Sequence, residues 1–233
     1  MGETIKMGCK KMTRSALKSL FLGLLAFSLT TACKKSSDSG SADAASTILI
    51  GEVGSMTGSE ATFGISTHQG IELALKEINA AGGVKGKQLK VKSLDDQGKP
   101  DEAALAVTKL ITQDKVVAIL GEVASSMSLA MAPKAQEYKV PMITPSSTNP
   151  EVTKKGDFIF RVCFIDPFQG TVMARFAREN LKLSRVAILR DVKSDYSVGL
   201  ASFFAETFKK MGGTIIVDQS YAKNDRDFKS QLT

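Results

Sequence analysis

Residues 116–126 read VVAILGEVASS, a continuous apolar run followed by a glycine and then by small and hydroxyl-bearing residues. An apolar run of this length without alternation is typical of a strand that is covered on both faces. The pair Ser125 and Ser126 stands where a helix would begin, and helical spacing continues to about Tyr138. The stretch therefore predicts a strand, a short loop and a helix, the repeating unit of an α/β fold with a parallel sheet.

The same alternation of strand and helix extends in both directions from this unit. Short connections between the elements favour right-handed βαβ crossovers, which place helices on both faces of the sheet. Before Asp166 we expect strands at 47–53, 89–94, 116–120, 142–144 and 158–163, with helices ending near 81, 111 and 138. After Pro167 we expect helices over about 168–180 and 197–211 and strands at 186–189 and 214–217.

This restart near Asp166 predicts two lobes, residues 47–165 and residues 166–233. The second lobe reads as incomplete, because its sheet has only two or three strands. Phe228 and Leu232 have helical spacing, yet the sequence stops at Thr233. We therefore expect a C-terminally truncated sequence.

The first 33 residues have the pattern of an export signal. A basic stretch ends at Lys18, and the apolar run over residues 20–27 is far shorter than the roughly 20 residues that cross a bilayer. Small residues before Cys33 resemble a bacterial lipoprotein box, in which the cysteine is acylated; an ordinary signal peptide with an incidental cysteine is the alternative. Residues 34–46, rich in Ser, Asp, Ala and Gly, predict a flexible tether. We expect an extracytoplasmic protein held to a membrane through Cys33.

The charge distribution argues against a nucleic-acid partner. The formal net charge is +7, but residues 1–33 hold five cations and one anion, which leaves 26 cations against 23 anions in the rest. No cluster of Lys and Arg is interleaved with aromatic residues.

The residue types that carry catalysis are scarce. His68, expected on a helix surface, is the only histidine, and Cys163 is the only thiol after Cys33, so we predict no metal site and no internal disulfide. No G-x-S-x-G elbow occurs. The glycines at 51, 54 and 58 fit neither the dinucleotide fingerprint nor the P-loop. We expect a protein that is not an enzyme and needs no cofactor.

The loops that follow the predicted strands are the candidate site, because ligands of open parallel sheets bind beyond the carboxyl ends of the strands. Ser125 lies at a helix N-terminus, where free backbone N–H groups favour an anion. Ser146, Ser147 and Thr148 add hydroxyl groups after the next strand. Helix capping or turn formation would explain each residue singly, but their joint position favours reversible binding of a carboxylate.

The same loops carry a family resemblance. Gly-x-Val-Ala-Ser-Ser at 121–126 and Pro-Met-Ile-Thr-Pro-Ser-Ser-Thr-Asn-Pro at 141–150 resemble the periplasmic branched-chain amino-acid binding proteins of ABC importers. The stretches 51–64, 77–86 and 195–199 are also similar, and the resemblance covers about 47–233. It implies a type I periplasmic binding protein fold, with two Rossmann-like lobes around a hinged cleft, and an ABC permease as partner.

The resemblance also implies roles for site residues. Ser125 and Thr148 would hold the α-carboxylate of a leucine-like amino acid, and the Ser146 carbonyl with the Thr148 hydroxyl would receive the ammonium group. Phe63, Val123 and Ala124 would border the ligand side chain, and Tyr196 would close from the second lobe. The full set is Phe63, Val123, Ala124, Ser125, Ser146, Ser147, Thr148 and Tyr196.

Two departures from the family keep the ligand open. Phe63 stands where many relatives have Tyr, and the acidic partner of the ammonium group is expected beyond Thr233. An amide, urea or an aromatic acid therefore remains an alternative ligand. A sensor module of the same fold and an exported Rossmann-like enzyme are the alternative classes, and missing acid–base groups argue against the enzyme.

Overall fold

A computed structural model describes residues 47–233. The predicted signal peptide, the tether and the lipid-attachment residue Cys33 lie outside the described residues. The described residues belong to one compact unit, and none of their helices is both long enough and apolar enough to span a membrane.

The first part of the described chain is a five-stranded, wholly parallel sheet with the order β2-β1-β3-β4-β5. This confirms the predicted α/β alternation. The strands are β1 (Thr47–Gly54), β2 (Gln88–Asp95), β3 (Ile119–Leu120), β4 (Met142–Thr144) and β5 (Ile159–Arg161). The helices between them are α1 (Ala61–Ala80), α2 (Pro100–Thr112) and α3 (Ser125–Glu137), with a 3₁₀ turn at Thr153–Lys155.

The second part is a two-stranded parallel sheet with its own helices. Its elements are α4 (Asp166–Arg175), which continues as a π-helical turn (Phe176–Asn180), then β6 (Arg185–Asp191), α5 (Asp195–Lys210), β7 (Thr214–Tyr221) and α6 (Lys229–Leu232). The restart predicted after Asp166 thus coincides with the start of a second sheet unit. We call residues 47–165 the first half and residues 166–233 the second half.

The main hydrophobic core lies between the first sheet and helices α2 and α3. Leu110, Ile119, Met131 and Met142 are fully buried there, and each such side chain contributes about 1.5–3 kcal/mol by leaving water. Helix α2 begins with Pro100, whose fixed φ and missing N–H suit a first helical turn. A smaller cluster forms around Phe208 in the second half.

Strand β3 is shorter than the sequence predicts. We expected residues 116–120 to form a strand covered on both faces, but β3 contains only Ile119 and Leu120. Val117 is 57% exposed, whereas Val116 and Ile119 are buried. An unbroken apolar run predicts a strand whose two faces are both buried. In the described residues, only some side chains of this run are covered by neighbouring elements.

The strand order places a crevice at the carboxyl ends of the strands of the first sheet, between β1 and β3. From β1 the chain crosses to β2 on one side, and β3 lies on the other side of β1. The loops after β1 and β3 therefore leave the sheet in opposite directions, which opens the gap where ligands of such sheets bind.

Candidate functional site

A cavity of about 400 Å³ opens at this crevice. Its wall combines the loops that follow β1, β3 and β4 with the starts of α4 and α5. The lining residues are Glu60, Phe63, Glu122, Val123, Ala124, Ser125, Ser146, Thr148, Phe164, Gln169, Ser194 and Tyr196. Seven of the eight residues proposed from the sequence are in this set, and Ser147 is the exception.

Ser125 lies at the first turn of α3 but does not cap it. The N-cap residue is Ala124, and no side chain caps the helix. The Ser125 hydroxyl instead accepts a hydrogen bond from the backbone N–H of Asn149 at 3.2 Å. This bond ties the start of α3 to the loop after β4. Since the first N–H groups of a helix have no partner within the helix, this turn offers donors to an anion.

Thr148 brings a hydroxyl group without a partner to the cavity. The residue is buried, and its Oγ1 makes no hydrogen bond among the described residues, although it faces the buried carboxyl group of Asp166, whose pKa is raised by burial and lowered in part by this hydroxyl. Its carbonyl oxygen accepts from the N–H of Asp166 at 3.0 Å. Leaving a buried hydroxyl unpaired costs about 1–3 kcal/mol, so Thr148 can gain a partner when a ligand enters.

Arg161 holds the Thr148 loop from behind. Its guanidinium group donates to the carbonyl oxygens of Ser147 at 2.7 Å and Asn149 at 3.0 Å, one on each side of Thr148. It also donates to Thr153 Oγ1 at 2.8 Å. These bonds fix the backbone, so the position of Thr148 does not depend on a ligand.

Ser146 and Ser147 point in different directions, as neighbours in an extended loop do. The Ser146 hydroxyl is exposed and donates to the Val123 carbonyl oxygen at 3.0 Å. Ser147 is buried and its hydroxyl lies 2.7 Å from that of Ser128 and 3.1 Å from the Glu122 carbonyl oxygen. The placement of Ser147 in the site is therefore corrected: its hydroxyl is used inside the loop and does not line the cavity.

Aromatic side chains border the cavity. Phe63 is 64% exposed at the start of α1. Tyr196, in the first turn of α5, accepts a hydrogen bond at its Oη from Gln169 Nε2 at 3.1 Å. Phe164 lies with them on the lining surface. These rings provide an apolar surface opposite the hydroxyl groups.

Glu122 is the most important lining residue that the sequence analysis missed. It is fully buried, two residues after β3. Its Oε1 accepts from Ser55 N at 3.0 Å and its Oε2 from Ala124 N at 2.6 Å. Burial first, and then the charge of Asp96, raise the pKa of Glu122 to about 7. A charged residue directly after a buried strand was the signal available in the sequence.

Glu60 is a second acidic lining residue, and it connects the two halves. Its Oε1 pairs with Lys223 Nζ at 2.8 Å, while its Oε2 is buried without a partner among the described residues. A second connection runs through Asp195, whose N–H donates to Ser126 Oγ at 3.0 Å and whose carbonyl accepts from Asn149 Nδ2 at 3.0 Å. Both connections lie beside the cavity.

The remaining candidates from the sequence lie away from the cavity. His68 lies on α1, as predicted, with its side chain 32% exposed; its Nδ1 is 2.7 Å from Oε2 of the buried Glu52, and this hydrogen bond raises the pKa of His68. Cys163 is half-buried, with Sγ 3.6 Å from the Ser147 carbonyl oxygen, and burial raises the pKa of its thiol. Within residues 47–233, no three His, Cys, Asp or Glu side chains are grouped to hold a metal ion.

Known proteins are similar to this chain in both sequence and fold. An amino acid binding protein of Pseudomonas aeruginosa is 34% identical over 187 residues, which are 80% of this chain and 50% of that protein. The leucine binding protein LivK of Thermotoga maritima superposes with a TM-score of 0.76 at 45% identity, covering 79% of this chain and 52% of LivK. LivJ of Streptococcus pneumoniae, solved in complex with isoleucine, has a TM-score of 0.75 at 38% identity, covering 80% and 53%.

The family match extends over the whole described region. A family model described as "Periplasmic binding protein" matches residues 47–233. The chain spans about half the length of the relatives it matches. On the sequence match and the shared parallel α/β architecture, the chain belongs to the periplasmic binding protein family.

Proposed function

We propose that the protein is the extracytoplasmic solute-binding component of an ABC importer and that it captures a small amino acid of the branched-chain type. The observation that carries the proposal is the pairing of Ser125 and Thr148 on one cavity wall, where Thr148 has a buried hydroxyl without a partner. The names of the relatives, which include a leucine binding protein and an isoleucine complex, support the same ligand class.

The ligand carboxylate is proposed to lie at the start of α3. The free N–H groups of that turn, the Ser125 hydroxyl and the Thr148 hydroxyl are neutral donors that suit an anion. Such donors bind a carboxylate without the strong ion pair that an Arg would form, which suits reversible capture.

Charge in the cavity favours a ligand that also carries an ammonium group. Glu60 is acidic, its Oε2 has no partner among the described residues, and no Lys, Arg or His is among the described residues that line the cavity. A zwitterion presents a cation to this carboxylate, whereas an aromatic acid presents only an anion. The Ser146 carbonyl and the Thr148 hydroxyl are the proposed partners of the ammonium group, and the rings of Phe63 and Tyr196 border the ligand side chain with Val123 and Ala124.

Delivery to a membrane permease completes the proposed role. The protein would act by binding and release, without chemical change of the ligand, and the second half would close over the ligand around the segment near Asp166. Lipid attachment at Cys33 would keep it at the extracytoplasmic face of a membrane. A sensor module of the same fold is the alternative, and neighbouring genes for a permease and an ATPase would favour the importer.

A thermal-shift screen of the protein tests the ligand class. We expect leucine, isoleucine or valine to raise Tm, and urea, amides and 4-hydroxybenzoate to leave it unchanged. If 4-hydroxybenzoate raised Tm and the amino acids did not, the ligand class would be an aromatic acid instead of an amino acid. The absence of any shift, with no heat in calorimetry, would contradict a binding function for this cavity.

A further inference from the structure

Beneath the cavity, two buried carboxyl groups share one hydroxyl group. Ser55 Oγ lies 2.8 Å from Asp96 Oδ1 and 3.2 Å from Glu122 Oε1. Ser55 is 1% exposed, and Asp96 and Glu122 are fully buried. The three residues follow β1, β2 and β3, so this cluster joins three strand-end loops, and the loops after β1 and β3 line the cavity.

The cluster lacks a hydrogen-bond donor when both carboxyl groups are ionised: Asp96 Oδ2 is buried without a partner among the described residues, and Glu122 Oε1 has only the backbone N–H of Ser55 as a full donor. The Ser55 hydroxyl has a single proton and can donate to only one of the two oxygens. The other oxygen would then face a lone pair on Ser55 Oγ. One added proton on Glu122 resolves the conflict: Glu122 donates to Ser55 Oγ, and the Ser55 hydroxyl donates to Asp96 Oδ1. Asp96 stays ionised and also accepts from the N–H of Gly98 at 2.8 Å.

The surrounding charges favour retention of that proton. Asp95 and Glu60 both act on Asp96 with like charge, and Lys223 is engaged with Glu60. Within residues 47–233, no salt bridge neutralises Asp96 or Glu122. Two like charges this close in a buried site resist joint ionisation. Burial raises the pKa of Asp96, and burial with the Asp96 charge raises that of Glu122.

The cluster also contacts the residue that precedes the proposed carboxylate site. Ala124 N donates to Glu122 Oε2 at 2.6 Å, and Ala124 directly precedes Ser125. A ligand carboxylate on the first turn of α3 would therefore add a negative charge beside Glu122. Neutral Glu122 avoids that repulsion.

We propose that Glu122, Ser55 and Asp96 form one hydrogen-bonded unit that retains a single proton, and that a ligand carboxylate at Ser125 binds together with that proton. Glu122 is a positioning residue in this unit, because it fixes the loops after β1 and β3. The coupling to the ligand rests on the proposed function, whereas the sharing of the proton does not.

Carbon-13 NMR of the full chain with labelled Glu and Asp carboxyl groups tests the sharing. We expect one Glu signal to titrate near pH 7 and to disappear in Glu122→Gln. In Asp96→Asn its midpoint should fall by about one pH unit or more, because the like charge is removed. Asp95→Asn is the comparison variant: Asp95 is paired with Thr57 and its charge acts on Asp96, so the midpoint should fall less than in Asp96→Asn. An equal midpoint in the wild type and in Asp96→Asn would overturn the sharing, as would a midpoint below pH 5.

Calorimetry with isoleucine at pH 7, in two buffers of different ionisation heat, tests the coupling. Because Glu122 is about half protonated at pH 7 before binding, we expect the heats to differ by the uptake of up to about half a proton per ligand in the wild type, and to agree in Glu122→Gln. Binding with equal heats in both buffers would overturn the coupling and leave the proposed function standing. The absence of isoleucine binding would contradict both the proposed function and the coupling. The NMR titration would still decide whether the proton is shared.

Discussion

Ser125 Oγ accepts a hydrogen bond from the backbone N–H of Asn149 at 3.2 Å, across 24 positions of sequence. This bond holds the first turn of α3 against the loop that carries Thr148. Arg161 fixes the same loop from the other side through the carbonyl oxygens of Ser147 and Asn149. The donors proposed to hold a carboxylate are thus positioned by bonds that need no ligand, which limits the entropy lost on binding.

Thr148→Val separates the binding role of Thr148 from any role in folding. Valine keeps the shape, and the Thr148 hydroxyl makes no hydrogen bond in the described residues, although it faces the buried Asp166 carboxyl group. We therefore expect Tm within a degree or two of the wild type, with isoleucine affinity reduced about 10- to 100-fold, the value of a hydrogen bond to a charged group. Calorimetry and thermal melts measure both quantities.

Ser66→Ala is the matched control for Thr148→Val. Ser66 is an exposed hydroxyl on α1 that donates to the Thr62 carbonyl oxygen of its own helix. Its removal should leave isoleucine affinity unchanged. If Thr148→Val binds isoleucine as tightly as the control, the hydroxyl does not contact the ligand.

Gly121→Ala should destabilise the fold severely. Gly121 has φ +104°, and a Cβ there would lie 2.1 Å from the Val53 carbonyl oxygen, between two central strands. We expect a loss of about 3 kcal/mol or more in the free energy of unfolding, because strain and a backbone clash add together. Urea unfolding measures it.

Gly70→Ala is the control for Gly121→Ala. Gly70 lies in α1 with open space around it. Alanine at this helix position should stabilise the protein by about 0.5–1 kcal/mol. Equal stability of the two variants would show that the Val53 contact does not constrain residue 121.

Stability should fall as the pH rises from 5 to 8. A carboxyl group whose pKa is raised by folding binds more protons in the folded state, so its contribution is lost between the unfolded and the folded pKa. For Glu122 this window runs from 4.5 to about 7, which amounts to roughly 3 kcal/mol. The raised pKa of His68 acts in the same direction from 6.5 upward.

Melting curves across this pH range check the expectation. Tm should decrease steadily from pH 5 to pH 8, and the decrease should be smaller in Glu122→Gln. The lowered pKa of Asp95 acts in the opposite direction only at more acidic pH, so it does not affect this range. A flat or rising Tm would show that Glu122 is ionised throughout.

Lys223→Met tests the connection between the two halves beside the cavity. The variant removes the 2.8 Å pair with Glu60 and leaves the Glu60 charge without its partner. Because both side chains are about one-third exposed, we expect affinity for isoleucine to fall by no more than about fivefold, or about 1 kcal/mol. Added salt should reduce the difference between variant and wild type.

Lys210→Met is the matched control for Lys223→Met. Lys210 pairs with Glu206 on the exposed face of α5. This variant should bind isoleucine as the wild type does at every salt concentration. An equal loss of affinity in both variants would point to net charge alone.

The fold was largely predictable from the sequence, and the strand-end loops indicated the position of the cavity. Alternating apolar runs and helical spacing predicted the order of strands and helices, but not the shortness of β3, which depends on what covers Val117. The hydroxyl residues Ser125, Ser146 and Thr148 were found because they cluster in two short loops.

The residues that were missed depend on tertiary contacts. Glu60 and Gln169 are single polar residues with no motif around them. Glu122 is the variable position of the Gly-x-Val-Ala-Ser-Ser stretch, and only the folded chain brings the three residues to one wall. Ser147 was assigned to the site because it stands between two lining residues. Its direction follows from the hydrogen bond network of Ser128 and the Glu122 carbonyl oxygen, which no sequence pattern shows.

A crystal structure of the protein grown with isoleucine is the most direct measurement of the central claim. We predict isoleucine in the cavity, with its carboxylate oxygens within hydrogen-bond distance of Ser125 and of Thr148 Oγ1, and with its side chain against Phe63 and Tyr196. Isoleucine bound outside this cavity, or bound in it with its carboxylate away from both hydroxyl groups, would contradict the account.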